Sequence, residues 1–498
     1  MKAFINRSII ISAAVTLLVC ACALWYIARE QPGRFVKTDP HSITAGSDFI
    51  LIRNSEELTL FKPENSQVLF SDAETGPGTA LHLGQRFPSP GAYGAIQETM
   101  LVNRAARYFG QGYQLLGIDA VMAPVADMSP LSPIVGWRSY GDTIEIAQPA
   151  LRAMIQGLAD GGVIPIVKHY PGHGATRTDS HTTVSRIVSN WSEFKRNDLE
   201  LFKQLLTLSE TGGVMVAFIS APEKQAGWPH GSSDLAIVSS FWMNMLRQDW
   251  NFQGLVISDA VNMAGMKQFK NPQYYCASQF FNLGGDLIIG NPSESLLSRL
   301  EDDEAIPDIN RSVMGKFMDR VSENRKKRRS INREALLSEG EELCQQVAEK
   351  ALVSFGNWPS LPNKGIATAF QIPKGTDKEF FQHASLQLGL QLVDKPGPST
   401  GTLVVALVKG SGLRLNALSD ESLGRLKTMH ERGTLAGCIV IGNPLNAILL
   451  DIEGIPSLVC WGPSDCSLDA ARRWLNGEIK AEGRWPYPKA AAKLRKEH

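Results

Sequence analysis

The chain has 498 residues, too many for one ordinary hydrophobic core, so two domains are expected. Its 50 lysines and arginines balance 50 aspartates and glutamates, which gives no support for a nucleic-acid partner. An apolar fraction of 43% fits a soluble globular body, and 7 cysteines are too few for a disulfide-built scaffold.

Lys2 and Arg7 precede an apolar run from Ile9 to about Ala28, close to the ~20 residues that cross a bilayer as a helix. Positive charge before the run predicts that the rest of the chain is exported. Ala21-Cys22-Ala23 fits a small-x-small cleavage site, and Cys22 is placed to accept a lipid, yet Leu24 to Ile27 stays apolar beyond both. Residues 1–29 therefore read as a membrane anchor, a signal segment or a lipoprotein leader. All three put the protein in the envelope, at the inner membrane or in the periplasm. A polar linker follows over residues 30–46.

From 47 to 311, short apolar runs alternate with amphipathic stretches. The expected strands are Phe49–Ile52, Gln67–Phe70, Ala120–Ala123, Ile164–Val167, Val214–Ala217, Leu255–Ile257 and Leu287–Ile289. Helical periodicity covers Gln97–Leu116, Ile144–Asp160, Asn190–Leu208 and Phe241–Trp250. This alternation predicts a parallel sheet, and its length suits a (β/α)8 TIM-like barrel. Residues 312–352 read as a charged helical connector, with the basic run Arg325 to Arg329 as a solvated helix face. Residues 353–498 read as a smaller C-terminal α/β sandwich domain, with strands Thr402–Leu407, Gly437–Ile441 and Ser457–Cys460 and helices Asp420–Glu431 and Leu468–Leu475. Cys460 and Cys466 are close enough in sequence to bridge, though two buried thiols fit equally well.

The chemistry gathers just after the expected strands. Asp72, Asp127, Lys168-His169 and Asp259 each follow one, where barrel strands open into the active-site face. The densest stretch is Lys168-His169-Tyr170-Pro171-Gly172-His173-Gly174, followed by Asp179-Ser180-His181. Asp179 beside His181 would fix the imidazole tautomer and raise its pKa, which suits a proton shuttle; a loop histidine with a local hydrogen bond is the plainer reading. A carboxylate at the end of a buried strand, as Asp259 is, can attack an electrophilic carbon, or it can merely cap the next helix. His169, His173, Asp179 and His181 also suggest metal ligands. Lys168 would repel the ion and the spacing fits no standard zinc pattern, so no metal is expected.

The segment Lys168 to His181 closely resembles the Lys-His-Phe-Pro-Gly-His-Gly…Asp-Ser-His signature of bacterial β-N-acetylglucosaminidases in glycoside hydrolase family 3. Phe252 to Asp259 looks like that family's nucleophile strand, Gly117 to Asp127 its third strand, and Trp137-Arg138-Ser139-Tyr140-Gly141 its Arg-Ser-Phe-Gly element. Gly477 to Pro486 is similar to the closing motif of its second domain. Two positions depart from the pattern. The family's Asp-Gln-Glu-Gly-Gly-Arg segment stands here as Asp72-Ala73-Glu74-Thr75-Gly76-Pro77-Gly78, without the arginine, and Phe218 replaces a histidine.

The resemblance implies an exo-acting retaining β-N-acetylhexosaminidase working without a cofactor. Asp259 would be the nucleophile and His181, paired with Asp179, the acid and base. Asp72, Arg138, Lys168 and His169 would hold the terminal sugar. Peptidoglycan or chitin fragments are the substrate class expected of an envelope enzyme of this kind. A β-glucosidase or another exo-glycosidase, a phosphorylase, and an inactive glycan-binding protein on the same barrel are the alternatives.

Overall fold

The computed structural model describes residues 34–38, 49–60, 67–178, 185–222, 227–261, 271–308, 310–359, 366–372, 378–393, 404–410 and 418–497. The N-terminal apolar segment lies outside them, as do Asp179 and His181. Among the described residues no helix is long and apolar enough to cross a membrane.

Eight parallel strands form the first domain: β1 (Phe35–Lys37), β2 (Phe49–Ile52), β3 (Val68–Ser71), β4 (Ala120–Val121), β5 (Ile164–Tyr170), β6 (Gly213–Val216), β7 (Leu255–Ser258) and β8 (Ile288–Ile289). They pair in sequence order, and β8 pairs back onto β1 with Phe35 opposite Ile288. A bridge between Ile257 and Leu287 joins β7 to β8 and closes the barrel. One expectation needs correction here. The stretch 30–46, read as a linker, contains β1, because its three-residue run is too short to carry a periodic signal on its own.

Period-two geometry decides what fills the interior. Val36, Phe49, Leu51, Val68, Phe70, Ala120, Met122, Ile164, Ile166, Met215, Leu255, Ile257, Leu287 and Ile289 make one buried cluster, at alternate positions along every strand. Helix α1 (Arg311–Arg328) seals its floor with Val313, Met314, Phe317, Met318 and Val321, and Phe317 stacks on Phe70 at a ring distance of 6.0 Å. The first half of the expected connector is thus the barrel's base.

The basic run at the end of α1 is likewise not simply a solvated face. Asp119, 1% exposed, accepts from Arg325 Nη2 at 2.6 Å and from Arg328 Nη2 at 3.1 Å, while Lys326, Lys327 and Arg329 face solvent. A helix presents positions three apart on one face, so two of the five residues in the run reach inward.

Helix α2 (Arg333–Ala351) leads to the second domain, a six-stranded sheet. Its strands are β9 (Val353–Phe355), β10 (Ile366–Ile372), β11 (Gln391–Val393), β12 (Val404–Gly410), β13 (Leu435–Val440) and β14 (Ser457–Val459), in the order β9-β14-β13-β12-β10-β11. Only β9 runs antiparallel to its neighbour. Val405, Leu407, Ile439 and Leu458 pack with Phe381 and Leu468 on one face, while Ala406, Val408, Cys438 and Val440 belong to the cluster on the other, as a two-sided sandwich requires. The disulfide joins Cys344 of α2 to Cys466, with Cα atoms 6.1 Å apart, and Cys460 is a buried free thiol. The pairing therefore crosses 122 residues rather than closing the short Cys460–Cys466 loop.

The closing tail ties the two domains together. Arg484 N donates to Ala95 O at 2.9 Å, Tyr487 Oη donates to Ser139 O at 2.7 Å, and Ala490 N donates to Asp142 Oδ2 at 2.7 Å. The tail thus braces the loop that carries Arg138.

Candidate active site

The inward-facing series of three barrel strands run on past their apolar layers into charge. Val68 and Phe70 lead to Asp72, Ile164 and Ile166 to Lys168, and Leu255 and Ile257 to Asp259. Each charged residue is the next inward position, so period two alone points all three into the mouth of the barrel at its C-terminal end.

Lys168 is 1% exposed, a cost that only full pairing offsets. Its Nζ contacts Asp72 Oδ1 and lies 2.6 Å from Glu74 Oε1. Glu74 also takes both arms of Arg138, with Nε donating to Oε2 at 2.7 Å and Nη2 to Oε1. Burial alone would raise the Glu74 pKa, but the Arg138 guanidinium and the Lys168 ammonium hold it well below the usual carboxylate range. Burial would lower the Lys168 pKa, and the Asp72 and Glu74 carboxylates raise it instead. Two cations and two carboxylates leave this wall near neutral. Asp72 is its open member, with a side chain 45% exposed.

His169 stands beside it. Its Nδ1 lies 2.6 Å from Asp127 Oδ2, and a carboxylate can only accept, so Nδ1 carries the proton and Nε2 is left for other partners. Asp127 Oδ1 accepts from His173 N at 2.6 Å. The Thr176 hydroxyl donates to His173 O at 2.8 Å and so accepts from His173 Nδ1 at 2.7 Å. Burial pushes the His173 pKa down to about 4, which leaves it neutral at physiological pH. Gly172 has φ +139°, and a side chain at Gly174 would collide with the Met128 carbonyl, so both glycines are needed for this loop to fold onto the barrel.

Asp259 is half-buried and held by main-chain groups. Its N–H donates to Val216 O at 2.9 Å across from β6, and its Oδ1 accepts from Ala260 N at 2.7 Å. One carboxylate oxygen is thus fixed, and the carboxylate also acts electrostatically on His173.

The structure brings Lys168, Asp72 and Arg138 into one cluster, sets His169 next to it in the chain on Asp127, and places Asp259 on the same rim. Asp179 and His181 lie outside the described residues, although their loop is closed at its base by Ser185 Oγ donating to Thr178 O at 2.7 Å. Glu74 was missed as the hub of the cluster and Asp127 as the partner of His169. The signal for Glu74 was its place two residues after Asp72, which puts it beyond the strand but still at the mouth. Phe218 is buried in the core, 1% exposed. Among the described residues no group of three or more His, Cys, Asp or Glu side chains is arranged to hold a metal ion.

The model of the Glycosyl hydrolase family 3 N terminal domain matches residues 35–314. Beta-hexosaminidase A of Pseudoalteromonas piscicida is 28% identical over 209 residues, covering 40% of this chain and 35% of that protein. Matches to the curated relatives span from about a third to three fifths of their length. Among solved structures, a glycoside hydrolase family 3 beta-N-acetylglucosaminidase from Paenibacillus sp. str. FPU-7 superposes with a TM-score of 0.70 at 19% identity, covering 93% of this chain and 98% of that one. A beta-glucoside phosphorylase bound to 2FGlc superposes with a TM-score of 0.75 at 15% identity, covering 95% and 97%. At such identities the superpositions speak for the fold.

Proposed function

We propose that this chain, which belongs to glycosyl hydrolase family 3, is an exo-acting retaining glycosidase that removes terminal β-linked N-acetylhexosamine. One observation carries the reading: the inward series of three strands end in Asp72, Lys168 and Asp259 around one barrel mouth. In the first step an Asp259 oxygen bonds to the anomeric carbon. The bond to the leaving oxygen breaks, and His181, oriented by Asp179, donates the proton that oxygen needs. In the second step His181 takes a proton from water, the water oxygen bonds to the anomeric carbon, and Asp259 is released.

Lys168, Arg138, Asp72 and His169 hold the hydroxyls of the terminal sugar. Because Asp72 and Glu74 balance the two cations, the wall does not oppose the positive charge that grows on the sugar ring in the transition state. The family membership and the curated beta-hexosaminidases it matches support an amino sugar at this position.

The proposal extends to location and natural substrate. The apolar segment from Ile9 to Ala28 tethers or exports the chain, and the Cys344–Cys466 disulfide fits an oxidising compartment. Peptidoglycan or chitin fragments are then the available glycans.

The test is hydrolysis of nitrophenyl β-N-acetylglucosaminide beside nitrophenyl β-glucoside, with an Asp259→Ala control. We expect preference for the acetamido sugar, and loss of turnover on the order of ten-thousand-fold in the control with unchanged melting temperature. Preference for the glucoside would move the substrate class, acceleration by phosphate would make it a phosphorylase, and an active control would remove Asp259 as nucleophile.

A further inference from the structure

A cleft of about 310 Å³ opens beside the histidine loop, walled by the segment after β4, by the loop flanks at Gly174–Arg177 and Val188–Ser189, by the helical turn Glu193–Asp198, and by the C-terminal helix Pro488–Glu497. Neither domain makes it alone. Asp142, 5% exposed, is part of its lining: its Oδ2 accepts from Ala490 N at 2.7 Å, and its Oδ1 is buried with no hydrogen-bond partner. Ser189, which also lines the cleft, has an Oγ that is likewise buried and unpartnered. Two unpaired buried oxygens in one cleft are uncommon, because each costs its desolvation energy.

We infer that this cleft binds one neutral pyranose unit of a longer glycan, at a distance from the bond that is cut. The lining has the mixture such a ligand needs. Asp142 offers an acceptor, Ser189 a hydroxyl that donates and accepts, Lys489 a donor, and Val188, 51% exposed, an apolar patch for the carbon–hydrogen face of a ring. Asp198 also lines the cleft, and burial together with the nearby Asp127 charge raises the pKa of its carboxyl. Arg177, Lys489 and Lys493 stand against Asp142 and Glu193 along the lining, so charges of both signs face the cleft, and a ligand of hydroxyls, which donate and accept, suits it better than a simple ion of either sign.

The cleft and the candidate active site share one loop, since Gly174 and Ala175 follow His173 directly. A chain running out of the barrel mouth therefore has a second wall to lie against. The C-terminal domain acquires a role, because its last helix closes the site. The ligand class rests on the glycosidase reading; the cleft and its two unpaired oxygens do not.

Two variants avoid the proposed catalytic groups: Val188→Trp, which fills the cleft from an exposed position, and Ser189→Ala, which removes one unpaired oxygen. Calorimetry on the full chain carrying Asp259→Ala compares chitotetraose with N-acetylglucosamine. We expect Val188→Trp to weaken the tetramer about tenfold or more, Ser189→Ala to weaken it less, and neither to change the monomer. In chains that retain Asp259, turnover of nitrophenyl β-N-acetylglucosaminide should be unaffected by either. Equal tetramer affinity with and without Val188→Trp would overturn the cleft proposal and leave the glycosidase reading intact. A chain that hydrolyses nothing, yet loses tetramer binding through Val188→Trp, would do the reverse.

Discussion

Both ends of the barrel hold a buried carboxylate between two cations, but the surroundings differ. At the floor, Asp119 accepts from Arg325, from Arg328 and from Leu69 N at 3.1 Å, and all of these contacts lie within the protein. At the mouth, Glu74 grips Arg138 and Lys168 in the same way, but Lys168 passes contact on to Asp72, whose side chain is 45% exposed, and Asp259 shares the rim. The composition of a buried ion cluster therefore says little about its use. What separates a structural lock from a site is its position at the carboxyl ends of the strands and one member open to a ligand.

The comparison is broken most severely by neutralising each hub in turn. Glu74→Gln and Asp119→Asn should each cost about 3–5 kcal/mol of stability, because both leave buried cations short of a partner. Their activities should part. Per folded molecule, Asp119→Asn should keep the parent kcat/KM, whereas Glu74→Gln should lose about a hundredfold or more as Lys168 and Arg138 shift from their sugar-facing positions. Chemical denaturation alongside steady-state kinetics reads both. If kcat/KM fell equally in the two variants, the distinction between lock and site would be lost.

A smaller effect sharpens the mouth alone. His173 has a pKa near 4 in the folded protein against an ordinary 6.5, with burial as the main cause. Its folded pKa is depressed, so its neutral form favours folding fully above pH about 6.5. That contribution shrinks as pH falls toward about 4, by about 3 kcal/mol in all. Stability measured over this window should fall on acidification, and His173→Asn should flatten the slope. An unchanged slope would mean that His173 does not drive it.

Much of this was legible in the sequence, for stated reasons. The helix Ile144–Asp160 was read to the residue, because an amphipathic stretch of 17 residues has a strong period. Strands β2 to β8 were found from apolar runs, and the charged residues after them fell at the mouth. Strand β1 is three residues long, too short for a periodic signal, while the local position of Glu74 hints at the mouth but not at its distant partners Arg138 and Lys168, and Cys344 pairs with Cys466 across 122 residues. The histidine loop was informative at its described end, where Lys168 and His169 take the partners that the barrel brings to them.

The basic run at the end of α1 offers the finest test, because lock and solvated face alternate within five residues. Arg325 Nε donates to Asp119 Oδ1 at 2.8 Å, whereas Lys327 lies 3.9 Å from Glu323, with both side chains more than half exposed. An exposed pair one helical turn apart is screened by water and salt, so Lys327→Ala should change stability by less than about 0.5 kcal/mol. Arg325→Ala should cost several times more, since it strips Asp119 of its closest charge. Urea midpoints for the two variants decide the matter, and equal shifts would mean that the run acts only as a diffuse positive patch. The sequence alone cannot rank these residues, because charge and helical spacing are common to the whole run. Only the position of Asp119 beneath the barrel, just before β4, makes one cation a fastening and its neighbour ordinary surface.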